Sequence, residues 1–331
     1  MMQEAAFFHQ LDELTVQCDL CPLHCRIHDG HDGICRSRKN IGGSLIVTNY
    51  GKVCAMHVDP IEKKPLFHYR PGQEILSLGN NGCNLACRFC QNWQISQSPV
   101  ATRDIPPKDL LALTQARKLD MVAFTYAEPL IWFEYIMDCA RILRENGIRV
   151  ILVSNGMINR EPFLALRPWI DAMNIDIKSM DDAFYRNLCN GRLQPVLDTC
   201  RLAAETMHLE ITNLVITGEN DSENRFHELG RFIANELGPD TPLHLSRYFP
   251  SYQMTHPPTP INTLHRAAEI TRQYLHFVFV GNIHPEESSD SRCPTCGHLL
   301  IQRRGYTVGP IDLDNTGRCP QCGFDPGIVL T

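Results

Sequence analysis

Fifteen of the 331 residues are cysteine, and most of them fall into three groups. Cys83, Cys87 and Cys90 are separated by three and then two residues. Three thiolates can hold three corners of an iron-sulfur cubane and leave the fourth iron without a protein ligand, whereas a simple electron carrier uses four. An iron left open in this way can bind a substrate. Cys293, Cys296, Cys319 and Cys322 form two Cys-Pro-x-Cys-Gly knuckles with 22 residues between them. That is close to the zinc-ribbon arrangement, in which four thiolates close a tetrahedral site. Zinc is the expected ion there, and a single rubredoxin-like iron the alternative. Cys18, Cys21, Cys25 and Cys35 are spaced by two, three and nine residues, with His24, His28 and His31 available to replace a thiolate. Zinc or a second iron-sulfur cluster suits this group; zinc in a structural clip is the expectation, and an electron relay the functional alternative. Cys54, Cys139, Cys189 and Cys200 are scattered and are expected to be buried small hydrophobes.

These groups need a framework to position them. From residue 74 onward, short apolar runs at 75–78, 121–125, 150–153, 172–177, 209–216 and 243–245 read as strands. Amphipathic stretches at 107–117, 130–146, 194–207, 222–237 and 263–274 read as helices, with a stop signal at Asn146-Gly147. Strand followed by helix, repeated, implies a parallel sheet with chemistry at the carboxyl ends of the strands. The fold class is therefore α/β, and six units predict a partial, TIM-like (β/α)6 barrel. The breakers Gly79-Asn80-Asn81-Gly82 place the central cysteines on a loop at its rim. The expected organisation is a cysteine-rich metal module over residues 1–55, the barrel over 70–283 and a zinc-ribbon-like module over 284–331.

Composition narrows the function classes. The chain is 43% hydrophobic and 21% charged, with a net charge of −6, as in ordinary globular proteins. Its apolar runs are too short to cross a bilayer, and its start lacks a basic segment before an apolar one. A cytoplasmic location and no membrane partner are expected, and the clustered thiols suit metal rather than disulfides. Net negative charge disfavours nucleic acid as a partner. The last 47 residues carry four Arg and no Lys against six acidic residues, so the ribbon is no exception.

The segment from Cys83 to Cys90, C-x3-C-x-F-C after a first barrel strand, resembles the signature of the radical S-adenosylmethionine (SAM) superfamily. Asp59-Pro60-Ile61-Glu62-Lys63-Lys64-Pro65-Leu66, Cys90-Gln91-Asn92-Trp93, Thr125-Tyr126-Ala127-Glu128-Pro129 and Ser246-Arg247-Tyr248-Phe249-Pro250 extend the likeness. They are similar to pyruvate formate-lyase activating enzyme-like proteins, in particular the AmmeMemoRadiSam-system subgroup, over nearly the whole chain.

The resemblance implies an oxidoreductase with a 4Fe-4S cluster on Cys83, Cys87 and Cys90. SAM is then cleaved to methionine and a 5′-deoxyadenosyl radical, with electrons from a flavodoxin- or ferredoxin-type reductant. Phe89 is implied beside the adenine and Glu128 at the SAM amino group. Tyr126 stands where the family has the first Gly of Gly-Gly-Glu-Pro. Ser154, Asn155, Asp176 and Lys178 are implied around SAM, Lys178 pairing with its carboxylate or with an acidic substrate. Residues 215–220 suit either an adenine pocket or plain core, and Arg247, Tyr248, Phe249 and Tyr252 either substrate contacts or packing. A glycine of a glycyl-radical partner enzyme is one implied substrate; a small molecule, another protein side chain or RNA is the alternative. The reading from a different class is an iron-sulfur electron carrier, which wants a fourth thiolate.

Overall fold

The computed structural model describes residues 3–283 and 289–331. Six short strands open the chain: β1 (Gln3–Glu4), β2 (Phe8–Asp12), β3 (Thr15–Cys18), β4 (Arg26–His28), β5 (Arg38–Ile41) and β6 (Ser44–Val47). They form two three-stranded sheets, β1-β6-β5 and β2-β3-β4. Too small for a core of their own, they share one: Val16, Leu20, Ile27, Leu45 and Val47 join the cluster that fills the central domain. Arg38, fully buried, ties the two together through Glu134 at 2.5 Å and the Ala6 carbonyl at 2.6 Å.

The central sheet has nine strands in the order β15-β14-β13-β12-β11-β10-β8-β7-β9. They are β7 (Lys52–Pro60), β8 (Glu74–Asn80), β9 (Arg103–Asp104), β10 (Met121–Phe124), β11 (Arg149–Ser154), β12 (Ala172–Asp176), β13 (His208–Val215), β14 (Leu243–Arg247) and β15 (Val278–Gly281). Strands β8 and β10 to β15 run parallel. Between them lie α1 (Trp93–Gln97), α2 (Pro107–Ala116), α3 (Phe133–Glu145), α4 (Arg160–Leu166), α5 (Asp182–Phe184), α6 (Leu193–Ala204), α7 (Glu223–Phe232) and α8 (Ile261–Thr271). Both faces of the strands are buried, which is why they read as continuous apolar runs. Val122 and Phe124 face the helices, while Met121 and Ala123 face the lumen, the two-residue period of a strand.

Six strand-helix units match the expected barrel, and two features go beyond it. A seventh parallel strand, β15, follows α8, and an antiparallel edge of β7 and β9 flanks β8. The chain after β7 crosses the base of the lumen, opposite the carboxyl ends of the strands. There the carboxylate of Glu210 accepts from the Phe67 and His68 amides at 3.0 and 2.7 Å, with His208 and His244 ring nitrogens at 2.9 and 2.6 Å.

The same base carries the C-terminal segment, in which β16 (Ser291–Arg292), β17 (Leu299–Arg304) and β18 (Thr307–Ile311) form an antiparallel sheet. Fully buried Arg303 donates to Ser291 Oγ at 2.8 Å and to the Phe67 carbonyl, and His68 Nε2 lies 2.9 Å from Ser291 Oγ. The first residues of the expected module, 284–288, lie outside the described residues. No helix among the described residues is long and apolar enough to cross a membrane.

Candidate active site

Strand β8 ends in Gly79-Asn80, and the loop that follows carries Cys83, Cys87 and Cys90 at the carboxyl edge of the sheet. Side chains and backbone from distant elements hold this loop still. Asn81 donates to the Ser98 carbonyl at 2.7 Å, Ala86 and Arg88 amides reach the carbonyls of Cys189 and Leu188, and Ser251 Oγ reaches the Cys90 carbonyl at 3.0 Å. Gly82, at φ +113°, passes so close to the Cys35 carbonyl that a Cβ would collide with it.

Beneath the loop is a cavity of about 340 Å³, within the range of small-molecule sites. The side chains singled out in the sequence, Cys83, Cys87, Cys90, Phe89, Tyr126, Glu128, Ser154, Asn155, Asp176 and Lys178, all line it. Residues 215–220 do not. Val215 and Ile216 are core, and Asn220 ties the Ile216 amide to the carbonyls of Lys178 and Leu214. Lys63, Lys64, Asn92, Thr212 and Ser246 also line the cavity, although the sequence offered no chemistry for them.

Glu128 is the most constrained polar group in the cavity. Its carboxylate accepts from the Leu130 amide and Ser154 Oγ on one oxygen, at 2.8 and 2.7 Å, and from the Asn155 amide on the other, at 2.8 Å. Burial pushes its pKa up to about 7 against the pull of those three donors and of Lys178. A buried carboxylate that still has acceptor capacity facing a cavity suits an ammonium or amine ligand.

Asn155 links the cavity wall to the thiols, donating to Asn84 Oδ1 at 2.9 Å with its Nδ2 also 3.7 Å from Cys83 Sγ. Lys178 Nζ lies 3.0 Å from Asp176 Oδ2, leaving its other donors for a ligand carboxylate.

Tyr126 adopts φ +69°, the left-handed region that a glycine would enter freely, at a cost on the order of 1–3 kcal/mol. Two contacts offset it: the hydroxyl donates to Asp59 at 2.7 Å, and Lys64 Nζ sits 4.8 Å from the ring centre. Gly79 makes room, since a Cβ there would stand 3.0 Å from the Tyr126 ring.

The Radical SAM superfamily model matches residues 78–230. The uncharacterized protein MJ0808 of Methanocaldococcus jannaschii is 42% identical over 99% of this chain and 100% of its own length. Pyruvate formate-lyase 1-activating enzyme of Escherichia coli is 24% identical over 46% of this chain and 65% of that enzyme. The chain belongs to the radical SAM superfamily.

The fold agrees. A radical SAM methyltransferase from Sphaerobacter thermophilus superposes with a TM-score of 0.50 at 15% identity, over 90% of this chain and 81% of that one. Membership brings a 4Fe-4S cluster and SAM, and the cavity suits both. Three thiols of one loop face it, polar groups for an amino acid moiety converge on one side, and Phe89, Leu85, Val153 and Leu214 give apolar walls.

Cys189 is buried in the core, as its isolation in the sequence suggests, and its backbone carbonyl also accepts from the Ala86 amide of the cluster loop. Cys189 itself does not line the cavity. Around the rim, Trp93 and Tyr252 stack at 5.3 Å, and Phe249 is exposed under Arg247 at 4.9 Å. Tyr248 is packing, being fully buried with its hydroxyl on the Met254 carbonyl.

The C-terminal thiols of Cys293, Cys296, Cys319 and Cys322 all lie within 4.8 Å of one another. Cys293 and Cys322 are 3.4 Å apart and Cys296 and Cys319 3.6 Å. The four fit a metal-binding module, and none of them lines the cavity.

Proposed function

We propose that Cys83, Cys87 and Cys90 hold the 4Fe-4S cluster of this radical SAM enzyme, and that the cavity below them binds SAM. The observation that carries the reading is that these three cysteines, and no other described cysteine, line a cavity that also holds Glu128 and Lys178. An electron carrier would want a fourth thiolate there. When bound there, cluster and SAM supply the chemistry: one-electron cleavage of the sulfonium to methionine and a 5′-deoxyadenosyl radical that takes hydrogen from a substrate.

The chain's own residues orient and shield. Glu128 accepts from the SAM amino group, with Ser154 and the Asn155 amide fixing its rotamer. Lys178 pairs with the SAM carboxylate, and Asp176 keeps the ammonium in place. Buried Phe89 offers its face to the adenine, with Phe184 behind it at 5.7 Å. Asn155 and Ser96 contact cluster ligands, Ser96 Oγ lying 3.2 Å from Cys90 Sγ.

The substrate is read as a glycine of a partner protein. Two things support this: likeness to the activating enzyme, and the aromatic rim of half-buried Trp93 and exposed Tyr252 and Phe249, suited to a polypeptide. The C-terminal quartet is read as a tetrahedral metal site, because thiolate bonds of about 2.3 Å need sulfurs about 3.8 Å apart; zinc is the first choice and a single iron the alternative.

The test is anaerobic. The chain is reconstituted with iron and sulfide, reduced and given SAM, and 5′-deoxyadenosine is measured. Formation that is lost in Cys87→Ala supports the reading; a loaded cluster that binds no SAM and forms none overturns it. Deuterium carried from α-deuterated glycine in a cell extract into 5′-deoxyadenosine tests the substrate class.

A further inference from the structure

The N-terminal cysteines were expected to hold zinc, and their geometry argues otherwise. Cys18, Cys21, Cys25 and Cys35 line one enclosed cavity together with Leu20, Leu23, Ile27, Gly33, Arg38, Asn84 and Ile131. They therefore border one cavity.

They do not crowd it. Among the described residues only the C-terminal quartet brings three or more potential ligand atoms within 4.8 Å of one another. The cavity that the N-terminal thiols line with those residues measures about 10 Å³, room for about one water-sized sphere. Thiols that admit such a sphere stand farther from their centre than the about 2.3 Å of a zinc-thiolate bond. A cubane holds its four thiolates apart by the width of its iron-sulfur core.

The molecule supplies its own calibration. Cys83, Cys87 and Cys90, which line the cavity matched to the family's 4Fe-4S cluster, are likewise absent from the close-packed group, while the ribbon thiols form it. A second observation points to a ligand. Arg38, fully buried, lies with a terminal nitrogen 4.0 Å from Cys18 Sγ, and its Nε has no hydrogen-bond partner. A guanidinium shared between Glu134 and the Cys18 thiol offsets part of the negative charge that a metal-tetrathiolate centre carries.

We propose that Cys18, Cys21, Cys25 and Cys35 ligate a second 4Fe-4S cluster, enclosed between the N-terminal sheets and the barrel. It sits beside the catalytic loop. Asn84 lines this cavity and, on its other side, accepts from Asn155, and the Gly82 backbone packs on the Cys35 carbonyl. The site draws on none of the ligands assigned to SAM cleavage, so either reading can fail without the other.

The decisive experiment uses the full chain with Cys83, Cys87 and Cys90 all changed to Ala, reconstituted anaerobically with iron and sulfide in the presence of zinc. About four iron and four acid-labile sulfide per chain, with about one zinc in the ribbon, is the expected result. No iron and about two zinc overturns the proposal. Should that variant not fold, the unmodified chain answers the same question by Mössbauer spectroscopy and metal counting. About eight irons in cubane environments are expected, falling to about four in Cys21→Ser/Cys25→Ser; about four irons and two zinc in the unmodified chain overturns it.

Discussion

The mouth of the barrel and the C-terminal ribbon both gather thiols, but for opposite ends. At the mouth, three thiols stand apart around an open cavity, and hydrogen bonds from three distant segments, at Ser98, at Leu188 and Cys189, and at Ser251, pin their loop. In the ribbon, four thiols close on one another, and two of them, Cys296 and Cys322, remain exposed. A site that must admit a ligand leaves a coordination position empty and spends its scaffold on rigidity. A site that only needs to hold a fold together closes its shell.

Cys87→Ala should break the mouth and spare the ribbon. The expected result is complete loss of 5′-deoxyadenosine with retained C-terminal metal, read by product analysis and metal counting on one sample. The reverse substitution, Cys319→Ser, should release the ribbon metal. Metal binding in such modules is folding free energy, and the small core of Leu300, Ile301 and Ile328 cannot replace it. Limited proteolysis should then cut within residues 289–331, while deoxyadenosine formation persists. If Cys319→Ser abolished SAM cleavage with the barrel still folded, the two ends would not be independent.

The mouth itself can be graded. Glu128→Gln keeps the size of the side chain but removes the charge and turns one acceptor into a donor that faces the Ser154 hydroxyl or the Asn155 amide. SAM affinity should fall roughly tenfold or more, the scale of one charge-assisted hydrogen bond. Anaerobic calorimetry reads this directly. Unchanged affinity would remove Glu128 from the amino-group contact.

Much of this contrast was legible beforehand, because ligand spacing is local. C-x3-C-x2-C and the paired knuckles announce their chemistry within a few residues, and strands buried on both faces announce themselves as apolar runs. What escaped notice was what depends on distant contacts. Strand β15 is four residues long and precedes a polar stretch, so it is absent from the strands expected from the sequence. Strand β7 has no clean alternation, since its edge position leaves it half exposed.

Cys189 lies 103 positions from Ala86, and nothing near it in sequence signals that its carbonyl holds the cluster loop. Tyr126 looked like a departure from a glycine motif. The structure keeps the left-handed backbone and anchors the larger side chain on Asp59 and Lys64, residues in a segment whose role the sequence did not reveal.

The base, where the ribbon docks, should respond to pH in a way the mouth does not. His68 is buried among Glu210, Arg303, His208 and His244, and burial pushes its pKa down from 6.5 to about 3. Glu210 is held well below its usual range: burial alone would raise it, but hydrogen bonds from His208 and His244 outweigh that.

For both groups the unfolded chain takes up protons that the folded chain refuses. Stability is therefore full above about pH 6.5 and declines as pH falls toward 3, by up to about 1.4 kcal/mol per pH unit for His68 alone. Thermal unfolding followed from pH 7 to pH 4 should show Tm decreasing throughout. His68→Gln, which keeps a polar partner for Ser291 but cannot titrate, should start lower at pH 7 and fall less steeply. An equal slope in the variant would assign the acid sensitivity to Glu210 and its two histidines, leaving His68 as a neutral spacer between barrel and ribbon.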